Sequence, residues 1–457
     1  MLGKPEREER VALGSAARKQ IPRGSLATWE PPADRPEPVD LLIEQAKGRL
    51  QNLVPIRHGR MSTSPFAFYR GSAVVMASDL ASQPYTGLVV QLCGDAHVAN
   101  FGMFASPERT LLFDLNDFDE THPGPFEWDV KRLAASAVLA ARSNGWDTSV
   151  QASMASRCAS AYRRAMRSFA EMRTLQVWYS RLDVTDMGRL AESLPSETVL
   201  ARVERSIAGA RRRTNLQAMA KLTTVVDGER RFIDDPPLLV RVEPDHAELL
   251  GLDSILAYRT TLVSDRAALL DHFHVVDVAQ KIVGVGSVGT RCYVLLLQGV
   301  DGRDPLMLQF KEATASVLEP YTGPSEYHHH GARVVAGQRL LQAASDIFIG
   351  WTSATDAHNV VHDSYVRQLR DMKFSPDLSA LDVSGFELLL NACGWTLARA
   401  HARSGDRIAI ARYLGRSSRF EAAITTWAVA YADQAETDYE SMVRAIRMAR
   451  LPSITGV

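Results

Sequence analysis

Short apolar runs and longer helical spacings divide the chain. VVQLCGD reads as a buried strand entering a loop, and RTLLFDLND as a second strand whose carboxylates emerge at its end. Later, TRCYVLLLQG, a VDGRD turn and PLMLQFKEA read as strand, Asp-Gly turn and strand, and DIFIGWT as a further strand serving as a hinge. Helical spacing appears at Leu41, Leu42, Ala46 and Leu50, and SPFAFYRGSAVVMASDLASQ predicts a helix beside the first strand. Asp129–Arg142 is an Ala-rich helix. Ser149–Leu182 continues as helix, with small residues suited to close packing and with Trp178 and Tyr179 read as core. SEYHHHGARVVAGQRLLQAASD and the segment from FELLLNACGWTLARAHARSGD onward also predict helices, while FIDDPPLLVRVE is a loop running into an extended stretch.

Composition narrows the class. The 457 residues suffice for two or three domains or lobes, and 46% hydrophobic with 23% charged residues describes a globular protein. A net charge of −1 offers no global field for nucleic acid or an anionic membrane. No apolar run approaches the ~20 residues of a membrane span. The N-terminal segment lacks the apolar core of a secretory signal. Cys93, Cys158, Cys292 and Cys393 form no CxxC pair, which argues against a disulfide framework or structural zinc and fits a reducing cytoplasm.

The candidate chemistry concentrates in Gln91–Arg132. Asp95, His97 and Asn100 lie on one loop, and Asp114, Asp117 and Asp119 form an acidic cluster on the next. Transfer of a phosphoryl group from a Mg2+-bound nucleotide needs this inventory: one carboxylate for the acceptor proton, and an amide oxygen with a second carboxylate for the metal. Gly284, Gly286 and Gly289 make a GxGxxG stretch. In a dinucleotide-binding fold a helix follows such glycines, whereas here a strand does. Glycines in a hairpin allow backbone to approach phosphate closely.

These motifs carry a family resemblance. CGDAHVAN is similar to the catalytic loop of aminoglycoside and choline phosphotransferases, His-Gly-Asp-x-His-x-x-Asn, with Cys93 where that family has His. NDFDETHPGPFEWD resembles their metal-binding segment, and the glycine hairpin with Lys311 at the end of its last strand resembles the nucleotide lobe of kinases. The resemblance implies Asp95 as catalytic base with His97 beside it, and Asn100, Asp117 and Asp119 as metal ligands. It implies Asp129 as a tie for the loop and Lys311 on the nucleotide phosphates. Glu326 is the expected partner of Lys311, with Glu312 and Glu319 as rivals. LARAHARSGD looks like the helix that enters the catalytic loop in phosphotransferases, yet it comes last. The implied fold is therefore α+β: a circularly permuted kinase-like two-lobe fold, with a large mostly helical lobe and a small antiparallel-sheet nucleotide lobe. GDAHVANFG, NDFDET, GVGSVGTR, YVRQLRDMK and ARAHARSGD further resemble a bacterial group, the domain of unknown function 2252 family, over roughly residues 40–440.

The expected organisation is a mobile N-terminal arm (1–38), the catalytic-loop and metal-binding part (39–150), a helical extension (151–275), the glycine-loop and lysine lobe (276–352) and a helical C-terminal part (353–457). The expected activity is ATP- and Mg2+-dependent phosphoryl transfer to a hydroxyl of a small molecule, with no nucleic-acid or membrane partner. A nucleotide-binding pseudokinase or scaffold, docking a protein through 151–275, and a nucleotidyl (AMP) transferase are the alternatives. Arg70 is a candidate phosphate contact, and Arg367, Arg370 and Lys373 form a candidate site rim. The basic run at Arg202, Arg205 and Arg211–Arg213 is either a solvated face or a clamp for a phosphorylated or carboxylated acceptor. Three consecutive His (His328–His330) face different ways on a helix and are read as structural or surface residues.

Overall fold

In the computed structural model, residues 6–192, 207–209, 215–242, 252–282, 284–356, 359–369 and 374–457 are described. Arg202, Arg205, Arg211–Arg213, Arg370 and Lys373 lie outside them. The chain is a mixed α+β structure: a helical body, and a six-stranded antiparallel sheet ordered Gly350–Thr355, Val361–Gln368, Pro305–Glu312, Cys292–Gln298, His274–Lys281 and Leu239–Arg241.

The sheet is apolar on both faces because alternate residues of its central strands point opposite ways. Leu295, Leu297, Leu306, Leu308 and Phe310 pack against Tyr258, Leu262 and Leu270 from the helices Leu252–Thr260 and Ser264–Leu270. Val294, Leu296 and Met307 face Phe232, Met219 and Leu222 on the other side. The stretch expected as one helical extension is thus divided. Its first helix, Thr148–Glu171, lies in the helical body, whereas residues 215–242 and 252–270 cover or extend the sheet.

In the body, Phe126–Ser143 is buried nearly all round, as its dense alanines allow. Val383–Ser404 packs so closely on Thr148–Glu171 that a Cβ at Gly394 would lie 2.4 Å from the Cys158 carbonyl oxygen. Asp147 and Asp382 cap these two helices by accepting the N–H groups of Val150 and Gly385. Two hairpin-like pairs carry the acidic segment: Val89–Leu92 with His122–Pro125, and Phe101–Ala105 with Leu111–Leu115.

Several expectations are corrected. The N-terminal arm is not loose in its described part. Arg7–Gln20 forms a helix against Arg407–Leu414, Arg10 pairs with Asp406 at 2.9 Å, and Arg35 is clamped between Asp79 and Asp438 at 2.7 and 2.6 Å. Trp29 meets the Tyr431 ring edge-on, so alternating charge and proline in this segment concealed a set of buried anchors. The single helix expected before the first strand is two, Pro65–Gly71 and Ala73–Ala81, broken at Ser72. Trp178 and Tyr179 are 44% and 71% exposed rather than core, and Arg403 stacks over Trp178. The strand at DIFIGWT is the sheet edge Gly350–Thr355, not a hinge; the chain leaves the sheet after Gln368 and rejoins the body where Phe374 bonds Met103. Among the described residues, no helix is long and apolar enough to cross a membrane.

Candidate active site

A cavity of about 700 Å³ lies where the sheet meets the body, and both motif groups reach it. Asp95, His97, Asn100, Asp117, Asp119, Gly284, Gly286 and Lys311 all line it. Gly289 does not: its positive φ of 88° turns the backbone beside the Arg49 side chain, a conformation that favours glycine. Glu326 is exposed ahead of the helix His330–Leu341 and does not pair with Lys311, which corrects that expectation. His329 instead caps this helix, accepting the Ala332 N–H, and Glu312 pairs with Arg291 and His362.

Lys311 meets the acidic segment directly. Its ammonium lies 3.4 Å from both Asp117 carboxylate oxygens and also pairs with Asp119. Burial works to lower the lysine, and the two carboxylates overcome it, holding the ammonium well above its ordinary value. Asp119 is pushed up by burial and by Asp117, against Lys311, and accepts a 2.8 Å bond from the Tyr365 hydroxyl. Sheet register explains the cluster. Lys311 is the partner of Tyr365 and Gln309 of Arg367, so all four stand on one face. Ser287 in the glycine turn reaches Asp119 at 3.3 Å, bringing that turn onto the acidic loop.

The Asp95 loop is pinned from below. Asp129, near the start of Phe126–Ser143, accepts the backbone N–H groups of Cys93 at 2.7 Å and Gly94 at 3.0 Å. His401 stands 3.2 Å from the same carboxylate and 2.8 Å from the Tyr162 hydroxyl. One turn along the Asp129 helix, Arg132 grips a single oxygen of Asp95 at 2.8 and 2.7 Å. Asn100 gives its amide nitrogen to the carbonyls of Asp95 at 3.0 Å and Asp117 at 3.1 Å, which fixes the amide orientation and leaves its oxygen for the cavity. Cys93 is buried and its thiol is driven far above its usual range, chiefly by that burial, so it is an inert donor to the Asp117 carbonyl at 3.4 Å.

Asp114 leaves the expected acidic cluster. It is 1% exposed and pairs with Arg399 at 2.6 Å inside the body. Sequence reading missed Arg132, Arg399 and His401 as partners of the loop carboxylates. The DVKR and LARAHARSGD stretches held them, but only the fold shows which carboxylate each one meets. Among the described residues, no three His, Cys, Asp or Glu side chains converge as a metal cage. An Asn oxygen with one or two carboxylates is nevertheless a hard-oxygen set of the kind Mg2+ uses when substrate phosphates complete its shell.

His97 is held down to about 4, first by burial and then by Arg70 and Arg132, against the pull of Asp95. Its unfolded value of about 6.5 lies higher, so as pH falls through 6.5 the unfolded chain takes a proton that the native one refuses. Stability from this group is therefore full above 6.5 and is lost between 6.5 and about 4. Urea denaturation should show wild type losing about 2–3 kcal/mol relative to His97→Gln between pH 7.5 and 4.5. Parallel losses in both proteins would remove His97 as the cause.

The family described as an uncharacterized protein conserved in bacteria (DUF2252) matches residues 49–445. The chain belongs to the DUF2252 family. No curated protein and no solved structure matches it. The matched span takes in Arg49, both loops, the glycine turn, Lys311 and His401, and so the whole cavity apart from Gln45.

Proposed function

We propose that this DUF2252 chain is an ATP- and Mg2+-dependent phosphotransferase with a circularly permuted kinase-like fold, acting on a hydroxyl of a small molecule. The observation that carries the reading is the contact of Lys311 with Asp117, which are 194 positions apart, in the cavity that also holds Asp95 and Asn100. Two features of the fold support it. The strand before the glycine turn, the strand after it, the lysine strand and the pair Gly350–Thr355 and Val361–Gln368 follow the order of a kinase nucleotide lobe, with the helix His330–Leu341 in between. The helix ending in LARAHARSGD stops at Gly405, where a Cβ would lie 2.9 Å from the Val89 carbonyl oxygen, at the head of the catalytic strand. That junction is where an unpermuted chain would run straight on.

In this reading Asn100 and Asp117 hold Mg2+, with Asp119 as a further ligand, and the metal neutralises charge on the transferred phosphoryl group. Lys311 binds the nucleotide phosphates. Gly284 and Gly286 leave space above them: a Cβ at Gly284 would meet no atom within 4 Å, and one at Gly286 would come only within 3.7 Å of the Arg70 carbonyl oxygen. Asp95 orients the acceptor hydroxyl and takes its proton, with one oxygen fixed by Arg132.

Thermal shift with Mg-ATP tests the nucleotide site. Wild type should gain about 2.7 kcal/mol of apparent stability at a hundredfold excess over Kd. Lys311→Ala and Asp117→Ala should both lose that gain. A flat wild-type response, or variants that respond like wild type, sinks the nucleotide assignment.

A further inference from the structure

Three arginines line the cavity wall beneath the glycine turn, and the transfer chemistry above does not use them. Arg49, Arg57 and Arg70 come from the helical region that precedes the catalytic strand. Arg57 is 1% exposed; its Nη2 donates to Gln45 Oε1 at 2.7 Å and to the Gly71 carbonyl at 2.6 Å, while its Nε and Nη1 have no partner among the described residues. Arg49 donates Nη1 to the Val288 carbonyl at 2.7 Å, and its Nε is likewise buried and unpartnered. The Arg70 Nε is buried without a partner as well.

Such a cluster is costly as it stands. A buried N–H without an acceptor carries its full desolvation penalty, and guanidinium groups sharing one wall repel. Arg57 feels both burial and the charge of Arg49; Glu120 draws on both arginines, and Asp119 and Glu312 draw on Arg49 as well, but none of them accepts from the orphaned N–H groups. Glu120 accepts the Val317 N–H, and burial pushes it up to about 6. The orphaned donors therefore call for an anion from outside the chain. Planar forks of N–H groups match phosphate, sulfate and carboxylate oxygens. Arg70 and Asp95 line the same cavity, and Arg70 feels the Asp95 charge.

We infer that Arg49, Arg57 and Arg70 bind an oxyanion group on the second substrate, so that the acceptor is an anionic small molecule carrying phosphate, sulfate or carboxylate. The word acceptor rests on the phosphotransferase reading; the anion site rests on the arginines.

The probe is inorganic phosphate, titrated calorimetrically into the full chain with and without saturating Mg-ATP. Wild type should bind it saturably in both conditions. Arg57→Met and Arg70→Met should weaken binding at least about tenfold, the loss of one charged hydrogen bond. Arg303→Ala, an exposed arginine outside the cavity, should bind phosphate like wild type. Arg70 is only partly buried, so its variant keeps the test valid if Arg57→Met fails to fold. Absent wild-type binding, or arginine variants that bind equally well, overturns the inference. Competitive displacement of phosphate by Mg-ATP also overturns it, because the arginines would then hold the nucleotide's own phosphates. Phosphate binding through the arginines with no Mg-ATP response upholds the anion site and overturns the phosphotransferase reading instead.

Discussion

Asp95→Asn is expected to lower kcat by about three orders of magnitude while leaving the affinity for Mg-ATP within about twofold of wild type. The geometry gives the reason. Arg132 takes one Asp95 oxygen at 2.8 and 2.7 Å, and the other lies 3.6 Å from His97 Nε2 on the cavity wall. In the variant the amide oxygen would stay on the guanidinium, since a nitrogen there would meet another donor. The amide nitrogen would then face the acceptor hydroxyl and could not take its proton. Lys311, Asn100 and Asp117 are untouched, so nucleotide binding should persist. The measurement is initial rate against ATP concentration, once an anionic acceptor that turns over is found, together with the Mg-ATP thermal shift. A variant that retains most of its turnover would remove Asp95 from the proton path. One that also loses the Mg-ATP shift would make its role structural.

Local features of the site were legible in the sequence because local spacing encodes them. The strand–loop segments around Asp95 and Asp117 and the Asp-Gly turn before Lys311 depend on neighbouring residues alone, and the structure brings Asp95, Asp117 and Lys311 to one cavity. Features that depend on distant partners were not legible. Glu326 is the expected partner of Lys311, yet it lies exposed ahead of the helix, and Lys311 instead finds Asp117 and Asp119. Asp114 read like its acidic neighbours because nothing nearby announces Arg399, 285 positions away. The continuous apolar run in CYVLLLQ marks a strand apolar on both faces, but which helices cover it is decided only in three dimensions. Arg49 and Arg57 look like ordinary surface charges, and Arg70 reads only as a candidate phosphate contact, until burial and their orphaned donors are seen.

Arg399→Met is expected to cost about 3–5 kcal/mol of stability, the penalty for leaving a buried charge without its partner. Both residues of the pair are 1% exposed, and their contact is 2.6 Å. Asp114 also accepts the N–H groups of Leu115 and Ala343 at 2.9 Å each, so losing Arg399 leaves a carboxylate with two neutral donors and only the field of Arg403 in place of its ion-pair partner. Lost volume alone predicts much less, because Met retains most of the arginine stem. The double variant Asp114→Asn/Arg399→Met separates the two causes: it removes both charges and should recover a substantial part of the loss in urea denaturation. The consequence reaches the site, because Leu115 ends the strand that delivers Asp117, and its carbonyl accepts Gln342 at 2.7 Å. Loosening Asp114 should therefore weaken Mg-ATP binding in Arg399→Met even where the protein is fully folded. A single variant within about 1 kcal/mol of wild type, or a double variant no better than the single, would mean that packing rather than the ion pair holds the acidic strand in register.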